Sequence, residues 1–204
     1  MKQIFCSITL LGFLLLWGVS SAFAAASPRD QLSETVDAVI ATLKDEQISG
    51  SQERQRLASL IGARFDFQTM ARWVLGPYWN KADQAERQRF IDLFTELLKA
   101  TYLDRIQEYS DEKVRYAEQA IDGERAEVRT FVVSGNKEIP ITYRLTLQGE
   151  KWMVYDVIVE NVSLVRNYRS TFSEIVRRDG MQDLFVKMQE KIKELEGNDS
   201  SGKG

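Results

Sequence analysis

The stretch Tyr155–Phe172, which reads YDVIVENVSLVRNYRSTF, decides the fold of this chain. Together with the residues just before it, its first half is rich in β-branched and aromatic side chains and predicts a strand from Trp152 to Val162. Its second half carries apolar side chains at helical spacing, namely Leu164, Val165, Tyr168 and Phe172. A strand therefore runs directly into an amphipathic helix, and their junction offers apolar area rather than reactive groups.

Helix start signals are frequent in the first half of the chain. They precede three segments of helical apolar spacing and consist of Ser27 before Pro28, Asp66, and Asp83 with its capping-box partner Glu86. The third signal predicts the longest helix, over about 84–108. Further helical spacing is found over 52–64, 164–178 and 182–195, so that about six helices are predicted.

From Lys113 onward the apolar period changes to two, which predicts strands. Turn signals at Gly123, Gly135 and Gly149 divide this region into four predicted antiparallel strands. Helices before the strands and helices after them predict an α+β fold, with the helices packed against one side of a curled four-stranded sheet. In the last strand, one unbroken apolar face is predicted from Met153, Tyr155, Val157 and Val159.

Residues 1–24 have the layout of a secretory signal peptide. Lys2 supplies a positive start, an apolar run follows, and Ala22-Phe23-Ala24 is a small-x-small cleavage site. A membrane-spanning helix is the alternative, but the apolar run is short for one. We therefore expect an exported protein with a single domain over 25–196 and a disordered tail over 197–204.

The inventory of residues excludes several kinds of chemistry. The chain has no His, and its one Cys, Cys6, lies within the predicted signal peptide. Nucleophile pairs that need His are therefore impossible, and the mature chain lacks the ligands of ordinary structural zinc sites. A formal net charge of −3 gives no electrostatic footprint for nucleic acid. We expect no cofactor, no metal and no nucleic-acid partner.

The decisive stretch also carries a family resemblance. An acidic strand end is followed by Val-Ser-Leu and then by Asn-Tyr-Arg within Glu160–Arg169. Matching segments continue upstream at Phe65-Asp66-Phe67, Leu75-Gly76, Trp79, Arg89-Phe90, Phe94, Leu97-Leu98, Thr101-Tyr102 and Tyr143-Arg144-Leu145. In these segments the chain resembles the MlaC or toluene-tolerance family of periplasmic phospholipid-binding proteins. Asn161 stands where that family usually has Gly, and Asn tolerates the positive φ of such a turn.

The resemblance implies a fold, a function and partners. The fold would be a nuclear-transport-factor-like sheet whose helices complete a deep apolar pocket. The function would be to shuttle phospholipid between an outer-membrane lipoprotein complex and an inner-membrane ABC transporter with a substrate-binding ring protein, which maintains outer-membrane lipid asymmetry. Some members of the family are associated with hopanoids, so a hopanoid carrier stays open. A periplasmic adaptor that binds only proteins is a further alternative.

Binding of acyl chains requires an apolar wall, because each buried methylene contributes about 0.8 kcal/mol. We expect that wall to come from the long helix, the last two strands and the helix after them. The predicted lipid-binding residues are Phe94, Leu97, Leu98, Tyr102, Ile141, Tyr143, Leu145, Met153, Tyr155, Val157, Val159, Leu164 and Tyr168. Arg144, Arg166 and Arg169 are predicted to contact partner proteins or a lipid head group, because the Arg fork suits phosphate.

One pair of carboxylates is the remaining candidate for a catalytic site. Asp156 and Glu160 lie four residues apart in the predicted strand, and paired carboxylates can hydrolyse glycosides. Carboxylates near the end of a strand are more often solvent-facing or bonded to a turn. We therefore expect that the protein is not an enzyme.

The signal peptide gives the first testable prediction. Periplasmic protein should begin at Ala25 or Ser27, because all three regions of a signal peptide are in order. Intact-mass measurement of the periplasmic fraction checks this prediction, and a mass that includes Met1 would contradict it.

Overall fold

The computed structural model describes residues 26–107 and 112–201, and within these ranges it contains six α-helices and five strands. The helices are α1 (Pro28–Leu43), α2 (Ser51–Arg64), α3 (Phe67–Leu75), α4 (Gln84–Gln107), α5 (Leu164–Asp179) and α6 (Met181–Ser201). The strands are β1 (Lys113–Asp122), β2 (Arg125–Ser134), β3 (Lys137–Gln148), β4 (Lys151–Val159) and β5 (Val162–Ser163). The predicted α+β class is confirmed, whereas the predicted count of four strands is wrong.

The predicted helix starts are confirmed by side-chain hydrogen bonds. The hydroxyl of Ser27 accepts from the backbone N–H of Asp30 at 3.2 Å, and the carboxylate of Asp66 accepts from Thr69 at 2.9 Å. Before α4, the backbone N–H of Asp83 donates to Glu86, and that of Glu86 donates to Asp83. Each cap satisfies N–H groups that the first turn of a helix leaves without an internal partner.

The two ends of the chain bear on the predicted domain limits. The helix α6 reaches Ser201, so it continues past Gly197, where the sequence suggested that the fold ends. The predicted signal peptide, including Cys6, and residues 202–204 lie outside the described residues. Among the described helices, none is both long and apolar enough to cross a membrane.

The five strands form one antiparallel sheet in the order β1-β2-β3-β4-β5. The predicted strand over 152–162 is divided, because Glu160 and Asn161 adopt positive φ values of 47° and 68°. The chain therefore reverses after Val159, and the two residues of β5 pair with the end of β4. The positive φ that the sequence predicted at Asn161 is confirmed.

A β-bulge in β4 changes which way its side chains point. Arg144 of β3 pairs with Asp156, but the next residue, Leu145, pairs with Val154. Tyr155 is thus an extra residue, and the alternation of side chains is interrupted there. The predicted apolar face is therefore wrong, because Val157 shares a face with Val154, and Met153 lies on the opposite one.

A second bulge lies in the edge strand β1. The register shifts between Tyr116 and Gln119, so that β1 has one extra residue opposite the segment of β2 between Thr130 and Val128. The Arg29 guanidinium at the start of α1 donates to the carbonyl of Ala117 inside this bulge, and the backbone N–H of Arg29 donates to the Gln119 side chain. The first turn of α1 thereby covers the bulged part of the edge.

Two clusters of buried apolar side chains support the fold. The sheet cluster lies where α1 packs on the sheet and consists of Leu32, Ala126, Val128, Leu145, Trp152 and Val154. The helical cluster lies among α3, α4, α5 and α6, and Tyr155 is the sheet residue that it includes. Half-buried Phe65 packs against both clusters. It also bridges to Val154 of β4, where the Asp66 N–H donates to the Val154 carbonyl at 2.8 Å.

A polar network attaches α1 and α2 to β4. The Arg64 guanidinium donates to Gln31, to Thr35 and to the Trp152 carbonyl at 2.8–3.0 Å. Gln31 in turn accepts from the Trp152 N–H and donates to the Glu150 carbonyl. Burial lowers the pKa of Arg64, but these acceptors keep the guanidinium bonded. The network sets the position of α1 over the sheet.

The turn after β4 gives a prediction about stability. Asn161→Val should destabilise the protein by about 1–2 kcal/mol, because a β-branched residue is strained at positive φ. Asn161→Gly should leave stability unchanged or raise it slightly, since Gly adopts this conformation without strain. Urea denaturation measures both effects.

Asn136→Val is the matched control, because Asn136 also lies in an exposed turn but has no positive φ. If Asn161→Val were no more destabilising than Asn136→Val, the strained turn would not limit stability.

Candidate functional site

The sheet presents one apolar face to α1, and we call it the apolar sheet face. Residues that pair across antiparallel strands share a face, and this one includes Tyr116, Val128, Thr130, Val132, Ile139, Ile141, Tyr143, Leu145, Val154, Val157 and Val159. Burial decreases along it. Val128, Leu145 and Val154 are fully buried under α1, Ile141 is half-buried, and Val159 is 38% exposed. One end of the face is therefore packed and the other end is partly uncovered.

An aromatic group lies within the helical cluster, between α4 and α5. The Tyr168 ring meets Phe94 edge to face at 5.3 Å and is tilted against Phe172 at the same centroid distance. Phe90 stacks on Phe94 at 5.7 Å and meets Phe172 edge to face. These geometries are favourable for aromatic rings and hold α4 and α5 together.

The structure divides the predicted lipid-binding residues into three groups. The helical cluster contains or packs against Phe94, Leu97, Leu98, Tyr102, Tyr155, Leu164 and Tyr168. The sheet cluster contains or packs against Leu145, Tyr143 and Val157. Ile141, Met153 and Val159 belong to neither. The predicted wall is thus divided between two clusters, and Met153 faces away from Ile141 and Val157.

Two tyrosines place hydroxyl groups among these apolar side chains. Burial raises the pKa of Tyr143 to about 12, although its hydroxyl is hydrogen-bonded to Thr130. Burial also raises the pKa of Tyr168 to about 12, and its hydroxyl interacts with Tyr102 and Thr101. Both hydroxyls therefore stay neutral and lie in surroundings poor in water.

The packing of the elements forms a closed ring. From the sheet, the chain of contacts runs through α1 and α2 to α4, then through α6 and α5 back to β4. The Gln107 amide donates to Glu53 at 2.6 Å, which joins the end of α4 to the start of α2. The sheet and the helices are therefore linked in one continuous series of contacts.

Asp156 organises the junction between β4 and α5. Its side chain is buried, and its two carboxylate oxygens accept from the Ser163 hydroxyl at 2.7 Å and from the Val165 N–H at 3.1 Å. Ser163 in turn accepts from the Arg166 N–H at 3.1 Å. Two N–H groups of the first turn of α5 are thus satisfied. Glu160, the other carboxylate of the hydrolytic alternative, is exposed in the turn, whereas Asp156 is buried and bonded to the start of α5.

The three predicted arginines lie in different surroundings. The Arg144 Nε atom donates to Glu127 at 2.7 Å, and its guanidinium is 3.6 Å from Asp156. The hydrogen bond to Glu127 raises the pKa of Arg144. Arg166 and Arg169 instead line a groove of about 530 Å³ on the outer side of α5. Arg144 is therefore a structural ion-pair residue, and the other two are available for ligands.

Sequence reasoning missed the rest of this groove. Its other lining residues are Tyr78, Ser170, Ser173, Glu174 and Arg177. Those from α5 are the polar residues opposite the apolar stripe, and their helical spacing was visible in the sequence. Tyr78 could not have been found in this way, because it belongs to the short 3₁₀ turn Gly76–Tyr78 that follows α3.

The described geometry agrees with comparisons to known proteins. The model of the MlaC protein family matches residues 33–190, which is more than half of the chain. The chain belongs to the MlaC family. In Haemophilus influenzae, the intermembrane phospholipid transport system binding protein MlaC is 22% identical over 194 residues, 89% of this chain and 91% of that protein. Toluene tolerance protein ttg2D of Pseudomonas putida is 27% identical over 164 residues, 77% and 76% of the two chains.

A solved structure supports the same MlaC-family fold. A phospholipid-binding protein from Ralstonia solanacearum, determined in complex with a phospholipid, matches with a TM-score of 0.77 and 25% identity. The match covers 83% of this chain and 99% of that protein. The resemblance drawn from the sequence is thereby confirmed at the level of family and fold.

The junction gives a prediction that separates a structural carboxylate from a catalytic one. Asp156→Asn should destabilise the protein by about 2–3 kcal/mol, because the amide cannot accept both hydrogen bonds with the strength of a buried carboxylate. Thermal or urea unfolding measures the change.

Glu160→Gln serves as the control, since an exposed turn carboxylate should contribute within about 0.5 kcal/mol. An Asp156→Asn protein as stable as Glu160→Gln would show that the junction does not depend on this carboxylate.

Proposed function

We propose that this protein is a periplasmic carrier that binds phospholipid by its acyl chains. The chains would lie in the interior region between the apolar sheet face and the helical cluster. The Ralstonia solanacearum protein, whose full length matches this fold, was determined with a phospholipid bound. The names of the curated relatives also refer to phospholipid transport and to toluene tolerance.

One observation carries the proposal: the described residues form two buried clusters instead of one. A compact domain usually has one contiguous core, whereas these clusters are joined only through packing on half-buried Phe65. On the apolar sheet face, residues such as Ile141 and Val157 are only half-buried. Apolar side chains left partly uncovered inside a ring of helices are what an acyl chain would cover.

Magnitudes favour an enclosed site over a surface groove. At about 0.8 kcal/mol for each methylene, two acyl chains of ordinary length carry on the order of 20 kcal/mol of unfavourable hydration. A shallow groove would leave much of this area wet. A closed ring of packed elements can enclose the chains on all sides while the polar head group remains in water.

Delivery of lipid would require partners at both membranes. By analogy with the family, we propose an outer-membrane lipoprotein complex and an inner-membrane ABC transporter with a ring-shaped binding protein. The lipid would pass between them through the partly uncovered end of the apolar sheet face, near Val159 and Val162, which are 38% and 60% exposed. Exposed apolar residues at an opening suit transient contact with another protein. The transport would serve to maintain outer-membrane lipid asymmetry.

The proposed site for the acyl chains, called the tail site from here on, is tested by three glutamate substitutions in the sheet. Val157→Glu should leave the fold intact and remove bound lipid, because a carboxylate in a half-buried site can reach water once the lipid is gone. Val154→Glu should unfold the protein, because Val154 is fully buried in the sheet cluster. Thr142→Glu, on the opposite face of β3, should affect neither fold nor lipid load.

Circular dichroism and mass spectrometry of solvent extracts measure the two properties. Diacyl phospholipid from the parent protein supports the carrier, whereas a triterpenoid would indicate a hopanoid ligand. A folded Val157→Glu protein with its full lipid load would refute the placement of the tails, and a parent protein without lipid would favour the adaptor.

A further inference from the structure

The outer groove of α5 concentrates positive charge that the fold does not use. Arg166, Arg169 and Arg177 line it together with one acid, Glu174. None of the three arginines forms an ion pair with another described residue. The adjacent Arg178, by contrast, is paired with Asp179. Other exposed arginines in the described part of the chain, such as Arg56 and Arg72, also lack an ion pair, but here three arginines line one groove in a chain with a net charge of −3.

Helix stability accounts for Arg177, which lies in the last turn of α5, but not for Arg166 and Arg169. Arg166 lies in the first turn of α5, which contains no acidic residue. The N-terminus of a helix carries partial positive charge, so a cation there is unfavourable. Arg166 and Arg169 are also three residues apart, where like charges repel each other. The arrangement is thus unfavourable for the isolated helix and becomes favourable when an anion is bound.

One arginine of the groove lies against the backbone of Gly76. A methyl group at Gly76 would lie 2.9 Å from the guanidinium carbon of Arg169, so this guanidinium rests against bare backbone. Gly76 begins the 3₁₀ turn that brings Tyr78 into the groove. The absence of a side chain at Gly76 therefore leaves room for the Arg169 guanidinium beside the groove.

We propose that this groove binds a phosphate group between Arg166 and Arg169. Three residues of helix span about 4.5 Å, so both planar guanidinium forks can reach one phosphate, and the Tyr78 hydroxyl adds a neutral donor. Arg177 lies about 12 Å from Arg169 along the axis and extends the positive field of the groove. The phosphate can belong to a lipid head group at a membrane surface or to a soluble phosphate compound.

This site is separate from the proposed tail site. Phe172 and Tyr168 project from α5 into the helical cluster, whereas the groove lies on the outer side of the same helix. Loss of groove arginines should therefore leave the extracted lipid load unchanged. This expectation distinguishes a failure of the phosphate site from a failure of the carrier function.

The test uses two probes on the full mature protein. Inorganic phosphate is titrated and followed by NMR, and vesicles of phosphatidylglycerol or of phosphatidylcholine are tested by co-sedimentation. The Arg166→Gln/Arg169→Gln double variant should weaken binding of whichever probe the parent binds by about tenfold. Glu174→Gln should strengthen it about two- to threefold, because the one acid of the groove is neutralised.

Arg56→Gln is the control for each single substitution, Arg166→Gln and Arg169→Gln, since it removes one positive charge from an exposed arginine on α2 outside the groove. Binding of phosphate without binding of phosphatidylglycerol vesicles assigns the groove to a soluble ligand. Binding of phosphatidylglycerol vesicles but not phosphatidylcholine vesicles, weakened by salt, assigns it to anionic head groups. The proposal is overturned if the parent binds neither probe, or if the double variant binds like Arg56→Gln.

Discussion

The extra residue in β4 is the constraint on which the rest of the structure depends. A strand without a bulge would direct Val154 and Asp156 to the same face. Because Tyr155 is inserted in the pairing with β3, Val154 packs under α1, Tyr155 joins the helical cluster, and Asp156 turns toward the start of α5. The strand β4 thereby contributes residues to both buried clusters and to its junction with α5. A regular strand could support one packed core but not two clusters with an interior region between them.

The carboxylate of Asp156, next to the bulge, fixes the position of α5 relative to the sheet. Its bonds to Ser163 and to the Val165 N–H attach the first turn of α5 to the sheet at the point where the chain reverses. Arg144 approaches the same carboxylate while bonded to Glu127 on the neighbouring strand. The angle at which α5 leaves the sheet is therefore set by buried polar contacts rather than by apolar packing alone.

The features that could be predicted from the sequence are those with a local cause. Helix starts at Ser27, Asp66 and Asp83 were correct because a cap involves residues within one turn. The positive φ of Asn161 was predicted for the same reason. The face of β4 could not be predicted, because a bulge is determined by pairing with β3 and leaves the apolar pattern of β4 unchanged. The surroundings of Arg144 were also beyond reach, since Glu127 lies on a different strand. The assembly of the outer groove depends on Tyr78, which is far from α5 in the sequence.

The bulge in β1 has a consequence for the behaviour of the free protein. An edge strand with unpaired backbone groups is a template for pairing with another chain, and this hazard leads to aggregation. In β1 the extra residue interrupts the regular row of donors and acceptors, and Arg29 occupies the carbonyl of Ala117. Another strand could not continue the ladder across this segment without displacing the start of α1. The contact between Arg29 and the Ala117 carbonyl, which holds the first turn of α1 on β1, thus also protects this edge strand from aggregation.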